Sequence, residues 1–309
     1  MFSLDDNYIL VNYHYVENPR PGKSGIHPCS IIEFEKQMEF LSKNYKIVSI
    51  PEVFNSSKEN ITGKFCAITF DDGLKDQYEN AFPVLKKYDI SATFFPITST
   101  LSNRIPPTHK LHVLLSISSA EEISNIFSNF IDKFYPDLKT IYSIPKDKRI
   151  YSRRLHEDIL TANLKETLIS LNYDIKNRFL RYCFKMFHLD EKSISKEIFM
   201  SEEELKKISK EGMNIGGHSH GHYSMEAVNP DFIKKDIQLS CEILSEMLDN
   251  YSRIYSYTHG HNSNSGIKIL TELGFEYGVT TQQRGFGKTE DPFLLPRYDS
   301  NDIKLVAEQ

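Results

Sequence analysis

The chain alternates short apolar runs with longer stretches of amphipathic helical spacing, and this alternation restricts it to parallel β-α-β organisation. Residues 8–13, Tyr-Ile-Leu-Val-Asn-Tyr, read as a first strand. Residues 31–44 carry apolar side chains at Ile32, Phe34, Met38, Phe40 and Leu41 and read as a helix leading to a strand at 46–50. Pro51 then starts a short helix, and Phe65-Cys66-Ala67-Ile68 is a buried strand. Further on, 231–250 and 266–273 have helical spacing, the second closed by Gly274, and 254–257 and 277–280 are strands. A chain of 309 residues can hold this pattern as a single domain, 1–309. Roughly residues 105–200 differ: helical patterns at 111–115, 123–134, 155–171 and 175–187, punctuated by Pro106-Pro107, Pro136 and Pro145, with little strand character. They read as a helical insertion, serving as a lid, a dimerisation element or structural ornament. His109, His112, His156 and His188 within it read as packing or surface residues.

The apolar run at 65–68 ends in Thr69-Phe70-Asp71-Asp72-Gly73. Two adjacent carboxylates at the end of a buried strand repel one another, and desolvation penalises both. A metal cation or a shared proton relieves that cost; so does plain exposure in an Asp-Asp-Gly turn. Downstream lies Gly216-Gly217-His218-Ser219-His220-Gly221-His222. A spacing of four puts His218 and His222 on one face of either a helix or a strand, whereas His220 points to the other face of an extended segment. Two neutral imidazoles with one carboxylate form a recurrent catalytic zinc set that also suits other borderline divalent metals.

Thr-Phe-Asp-Asp-Gly followed by His-Ser-x-x-His resembles the NodB-type polysaccharide deacetylases, carbohydrate esterase family 4. The segments 80–88 and 92–95 resemble the helix and second strand after that family's first motif, and the likeness covers roughly 8–100 and 200–303. It implies a distorted (β/α)7 barrel, with Asp71 as catalytic base and Asp72, His218 and His222 as ligands of a divalent metal, zinc first, cobalt or nickel as alternatives. The usual third motif, Arg-Pro-Pro-Tyr-Gly, is here Tyr255-Ser256-Tyr257-Thr258-His259-Gly260, with Ser256 in place of the arginine that orients the base. No histidine follows His261, so the usual C-terminal acid is missing too. Tyr13-His14-Tyr15-Val16 resembles the Tyr-His-x-Val signature of a branch with rearranged motifs that includes poly-N-acetylglucosamine deacetylases, where an N-terminal histidine is the acid. His14 is therefore the expected acid, and Arg297, in Leu295-Pro296-Arg297, the expected partner that orients Asp71 and keeps it ionised. Tyr257, His259 and Gly260 are expected at the substrate pocket, with a backbone N–H near His259 as a candidate oxyanion donor; Tyr13, Tyr15 and Tyr257 stack on sugar rings or simply pack.

The resemblance implies a metal-dependent hydrolase that removes an acetyl group, N-acetyl before O-acetyl, from a sugar, glycan or glycan precursor. An O-acetyl esterase or deformylase acting on a nucleotide- or lipid-linked sugar is the second reading. An inactive glycan binder is disfavoured, because a binding module needs no second carboxylate. The formal net charge of -5, with both signs interspersed, leaves no nucleic-acid footprint. Met1 to Asn7 has no basic region leading into an apolar run, and no apolar stretch approaches the length of an integral membrane segment. With Cys29, Cys66, Cys183 and Cys241 scattered, the expectation is reduced thiols and a cytoplasmic location. No feature of the sequence sets an oligomeric state.

Overall fold

A computed structural model describes residues 6–19, 26–151, 157–226 and 228–307. Eight strands occur among them: β1 Tyr8–Tyr13, β2 Lys46–Ile47, β3 Phe65–Asp72, β4 Ala92–Pro96, β5 Asn214–Ile215, β6 Ile254–Ser256, β7 Tyr277–Val279 and β8 Tyr298–Asp299. Every pairing is parallel. One sheet runs β5-β4-β3-β1-β8, with β2 paired to the start of β3, and β6-β7 form a second. Single parallel bridges, Gly217 with Tyr255 and Val279 with Leu295, carry the pairing from β5 to β6 and from β7 to the segment entering β8. The ring therefore reads β1-β3-β4-β5-β6-β7-β8 and back to β1. This is the distorted (β/α)7 barrel.

Side-chain parity sorts its residues. Ile9, Val11 and Tyr13 of β1 and Cys66, Ile68 and Phe70 of β3 share a buried cluster with Phe34, Met38 and Leu41 of the helix Ile31–Asn44. Their neighbours Tyr8, Leu10, Phe65 and Ala67 join Phe95, Ile254, Val279 and Leu295 in a second cluster that fills the barrel. Phe70 stacks on Phe94 at 4.6 Å between ring centroids. Because successive strand residues point to opposite faces, Asn12, Thr69 and Asp71 continue the inward row above Leu10 and Ala67.

Helix starts follow their capping residues. The expected strand at 46–50 is only Lys46–Ile47, because Ser49 and Glu52 close a capping box that opens the helix Ile50–Lys58. Asn229 caps the helix Pro230–Met247, and Ser263 caps Asn264–Glu272. Among the described residues, no helix is long and apolar enough to cross a membrane.

Residues 19, 26–27, 104–151 and 157–194 pack as a separate compact unit. Its main helices are Pro107–Ile117, Ala120–Phe134, Ile159–Ser170 and Tyr173–Met186. The third starts at its Asp158 cap; Leu155 and His156, part of the expected pattern, lie outside the described residues. Phe127 and Phe130 meet Phe179 edge-on at 5.0 and 5.4 Å. His109 is buried with its ring against His112. The helix Glu191–Ile198 has only Ile194 and Ile198 as apolar residues, too few for spacing alone to announce it.

Two substitutions separate core from cap. Phe94→Ala is expected to lower the unfolding free energy by about 3–5 kcal/mol, and Ser49→Ala by about 0.5–2 kcal/mol. Urea midpoints at unchanged m-value check both.

Candidate active site

The upper rim of the barrel gathers the polar side chains that parity turns inward. Asp71, at the end of β3, is 3% exposed, and Arg297, just before β8, is 1% exposed. The guanidinium grips the carboxylate with a two-pronged fork, Nη1 to Oδ1 at 2.9 Å and Nη2 to Oδ2 at 2.7 Å. Its remaining donor directions are also taken. Nε donates to the Thr280 carbonyl at 2.9 Å, Nη1 also to Asn12 Oδ1 at 2.8 Å, and Nη2 also to Ser256 Oγ at 3.0 Å. Asp71 further accepts from Ser256 Oγ at 2.9 Å and Asn12 Nδ2 at 3.1 Å. Burial alone pushes the Asp71 carboxyl up. The Arg297 charge and hydrogen bonds, with smaller help from His218 and His14, overcome that and hold it well below the usual carboxylate range.

Ser256 and Asn12 are the participants that motif reasoning passed over. Ser256 stands where the common third motif has arginine, and its hydroxyl bonds both Asp71 and the arginine that arrives from the other end of the chain. Asn12 had a sequence signal, as a polar residue at an inward position of an otherwise apolar strand.

Beside this pair, Asp72 turns its side chain away from Asp71 through a backbone φ of 76°. Gly73 follows at φ 71°, and a Cβ there would stand 2.8 Å from that of Pro96, so the tight turn excludes any larger residue. Nε2 of His218 and of His222 stand 3.3 and 3.4 Å from Asp72 Oδ1, and one donor atom from each of the three residues lies within 4.8 Å of the others. Tetrahedral ligands at zinc distances are about 3.4 Å apart, so the donor set fits a small divalent cation. His218 Nδ1 lies 2.8 Å from the Ser256 carbonyl, so that nitrogen carries the hydrogen and Nε2 keeps its lone pair for a metal. The histidine segment is not extended: Ser219 and His222 have φ of 64° and 59°, and Asp236 accepts the N–H groups of His220 and Gly221 at 3.0 and 2.8 Å. Burial pushes the Asp236 carboxyl up to about 6 despite those bonds. His220 lies outside the cluster and pairs through Nδ1 with Thr98 Oγ1 at 3.1 Å.

His14, just past β1, has its side chain 42% exposed, and its Nε2 is 3.9 Å from Asp71 Oδ2. His259, with φ 59°, sets its ring 4.7 Å from that of His222. Gly260 has φ 73°, and a Cβ would meet Thr281 Oγ1 at 2.0 Å. Tyr257 does not line an open pocket: it is 1% exposed and packs with Tyr255, Ile233, Leu270 and Phe275. Tyr13 is likewise a core residue, whereas Tyr15 is half-buried.

An ionised, dry carboxylate beside three converging metal-type donors at the C-terminal rim of a β/α barrel is the arrangement of a hydrolytic centre. The sequence profile of the polysaccharide deacetylase family matches residues 58–125 and 183–278, and the chain belongs to that family. YxkH of Bacillus subtilis (strain 168) is 20% identical over 268 residues, which cover 86% of this chain and 63% of that protein. A poly-β-1,6-N-acetyl-D-glucosamine N-deacetylase of Staphylococcus epidermidis is 26% identical over 228 residues, covering 67% of this chain and 71% of that one. The structure of the Streptococcus pyogenes deacetylase PplD in complex with acetate superposes with a TM-score of 0.62 at 16% identity, covering 98% of both chains. The fold is that of the NodB-type deacetylases.

The buried ion pair sets a pH dependence of stability. Because the folded-state pKa of Asp71 is depressed, its contribution is complete above the ordinary carboxylate pKa of about 3.9 and is lost as pH falls below it. Wild type is therefore expected to exceed Asp71→Asn in stability by a constant margin from pH 7 to pH 5, shrinking under about pH 4. Arg297→Met, which strands the carboxylate, is expected to cost about 3–5 kcal/mol at neutral pH. Denaturant titrations across pH test both.

Proposed function

We propose that this protein is a metal-dependent carbohydrate deacetylase that hydrolyses an N-acetyl group on a sugar, glycan or glycan precursor. The observation that carries this is the Asp71 carboxylate, kept ionised by Arg297 and standing beside the Asp72, His218 and His222 donor set. Membership of the polysaccharide deacetylase family and the N-deacetylase among its relatives support the amide as the bond attacked. Asp72, His218 and His222 are the residues that hold the metal, zinc first, with cobalt or nickel as substitutes. A divalent cation there acidifies water and polarises an acyl carbonyl.

The chain's own residues do the rest. Asp71 takes a proton from the attacking water as a C–O bond forms at the acetyl carbon. Arg297, Asn12 and Ser256 keep the carboxylate in one orientation while it does so, which limits the reorganisation needed during reaction. His14, as imidazolium on the Oδ2 side of Asp71, delivers a proton to the sugar nitrogen as the C–N bond breaks. Acetate and a free amine are released.

Acetate release from β-1,6-linked N-acetylglucosamine oligomers, other acetylated oligosaccharides and nucleotide sugars is the first measurement, with formate and ester hydrolysis assayed in parallel. Asp71→Asn is expected to keep stoichiometric zinc and lose turnover by several orders of magnitude, whereas His218→Ala loses the zinc. His14→Ala is expected to lower amide turnover by about 10²- to 10⁴-fold. Near-normal turnover in Asp71→Asn, or a purified wild type that binds no metal in a zinc titration, overturns the reading.

A further inference from the structure

One buried side chain links the end of β3, which carries the proposed base, to the segment just past β1, which carries the proposed acid, and it belongs to neither. Gln77 is fully buried at the start of the π-helical turn Gln77–Ala81. Its amide nitrogen donates to the carbonyl of Asp71 at 2.6 Å and to the carbonyl of His14 at 3.0 Å. Two acceptors on one side fix which end of the amide is nitrogen. Its Oε1 is buried with no hydrogen-bond partner among the described residues. Leaving an acceptor unsatisfied costs about 1–3 kcal/mol, so the side chain is held where its nitrogen is needed at the expense of its oxygen.

Its neighbours extend the same grip. Asp76 Oδ2 accepts from the Val16 N–H at 2.8 Å, and Asn80 Nδ2 donates to the Val16 carbonyl at 2.8 Å. On the other side, the Tyr15 carbonyl accepts from the Cys29 N–H at 3.0 Å. The need differs between the two partners. Asp71 is fixed by its place in β3 and by Arg297, Ser256 and Asn12. His14 lies past the end of β1, where strand pairing has stopped. The turn itself is distorted to suit. Pro83 offers no N–H, and the Phe82 N–H reaches back to the Gln77 carbonyl, five residues away. Such π-turns recur at functional sites.

We propose that Gln77 is a positioning residue that sets the distance between His14 and Asp71, with Asn80 as its auxiliary. This rests on His14 and Asp71 acting as acid and base. Gln77 touches neither substrate nor reacting atoms; it acts through the backbone of the acid-bearing segment. Loss of the tether lets the imidazole drift, and the damage is confined to reactions whose leaving group needs a proton.

The test compares two substrates in four proteins: wild type, Gln77→Leu, His14→Ala and the double variant. The substrates are an N-acetylglucosamine oligomer, whose amine must be protonated to leave, and 4-nitrophenyl acetate, whose phenolate leaves without a proton. Gln77→Leu is expected to lower kcat on the amide by about 10- to 100-fold with KM within about twofold, to spare the aryl ester, and to add little further loss in the His14→Ala background. An equal loss on both substrates, an undiminished loss in the His14→Ala background, or unchanged amide kcat overturns the proposal. If Gln77→Leu does not fold, Asn80→Ala carries the same comparison with a smaller effect, about 3- to 10-fold, and the same outcomes decide. Wild type without amide turnover, or His14→Ala with full amide turnover, instead strikes the underlying acid–base reading, and the two failures are told apart within one data set.

Discussion

The Asp71–Arg297 fork is the interaction around which the rim is organised. A carboxylate and a guanidinium are both taken almost wholly out of water here, and neither is tolerable alone. The pair is accordingly bonded from several strands at once, from β1 through Asn12, from β6 through Ser256 and from the end of β7 through the Thr280 carbonyl. Satisfying the pair forces these strands into one register around the barrel mouth. The hydrophobic layer below, with Leu10, Ala67, Phe95 and Val279, needs only volume and parity; the polar layer above needs particular atoms at particular distances.

The same economy of side chains explains how two neighbouring aspartates coexist. Asp71 stays on the inward row of β3 and is neutralised by Arg297. Asp72 leaves the strand through a left-handed φ, reinforced by Gly73, and faces His218 and His222. Ser256 couples the two halves: its hydroxyl serves Asp71 while its carbonyl sets the tautomer of His218. A substitution at Ser256 thus touches both the Asp71 carboxylate and the donor set at once. The positive φ values at Asp72, Ser219, His222 and His259 concentrate at this rim. Non-glycine residues in that region carry strain of order 1–3 kcal/mol each, and they persist only where surrounding structure over-determines them.

Compensation for missing motif parts follows a physical rule rather than a positional one. Arginine in the usual third motif would reach Asp71 from β6. Here the guanidinium comes from the strand beside β1, and a small hydroxyl at Ser256 leaves the volume for it. The histidine beside Asp71 likewise comes from the N-terminal segment, as the proposed acid His14. A barrel permits such exchanges because its strands all end at one rim, so any of them can supply a group to the same few cubic ångströms.

Much was legible beforehand. The alternation of apolar runs and helical spacing gave the parallel β-α-β organisation, and the family resemblance gave the barrel. The His-Ser-x-x-His pattern singled out His218 and His222, although a turn with left-handed φ at Ser219 and His222, not a helix or strand face, brings them together. Asp71-Asp72-Gly73 marked a strand end that two charges make expensive. The pairing of Arg297 with Asp71 was readable as a vacancy and a candidate to fill it. Less was readable where a short polar contact outweighs hydrophobic spacing. Ser49 and Glu52 cut short a strand, β8 is two residues long, and Glu191–Ile198 has too few apolar residues to show a period. Tyr257 has the composition of a sugar platform but packs in the core, because its strand parity points it between helices. Sequence determined which chemistry this chain carries, since residue types and local spacing are written in it directly. The tertiary structure alone decided who holds whom: Asn12 and Ser256 are separated from Asp71 by 59 and 185 residues, and only the pairing of β1 with β3 and the return of β6 to the same rim bring their donor atoms within bonding distance, while Gln77, six residues on, folds back from the turn after β3.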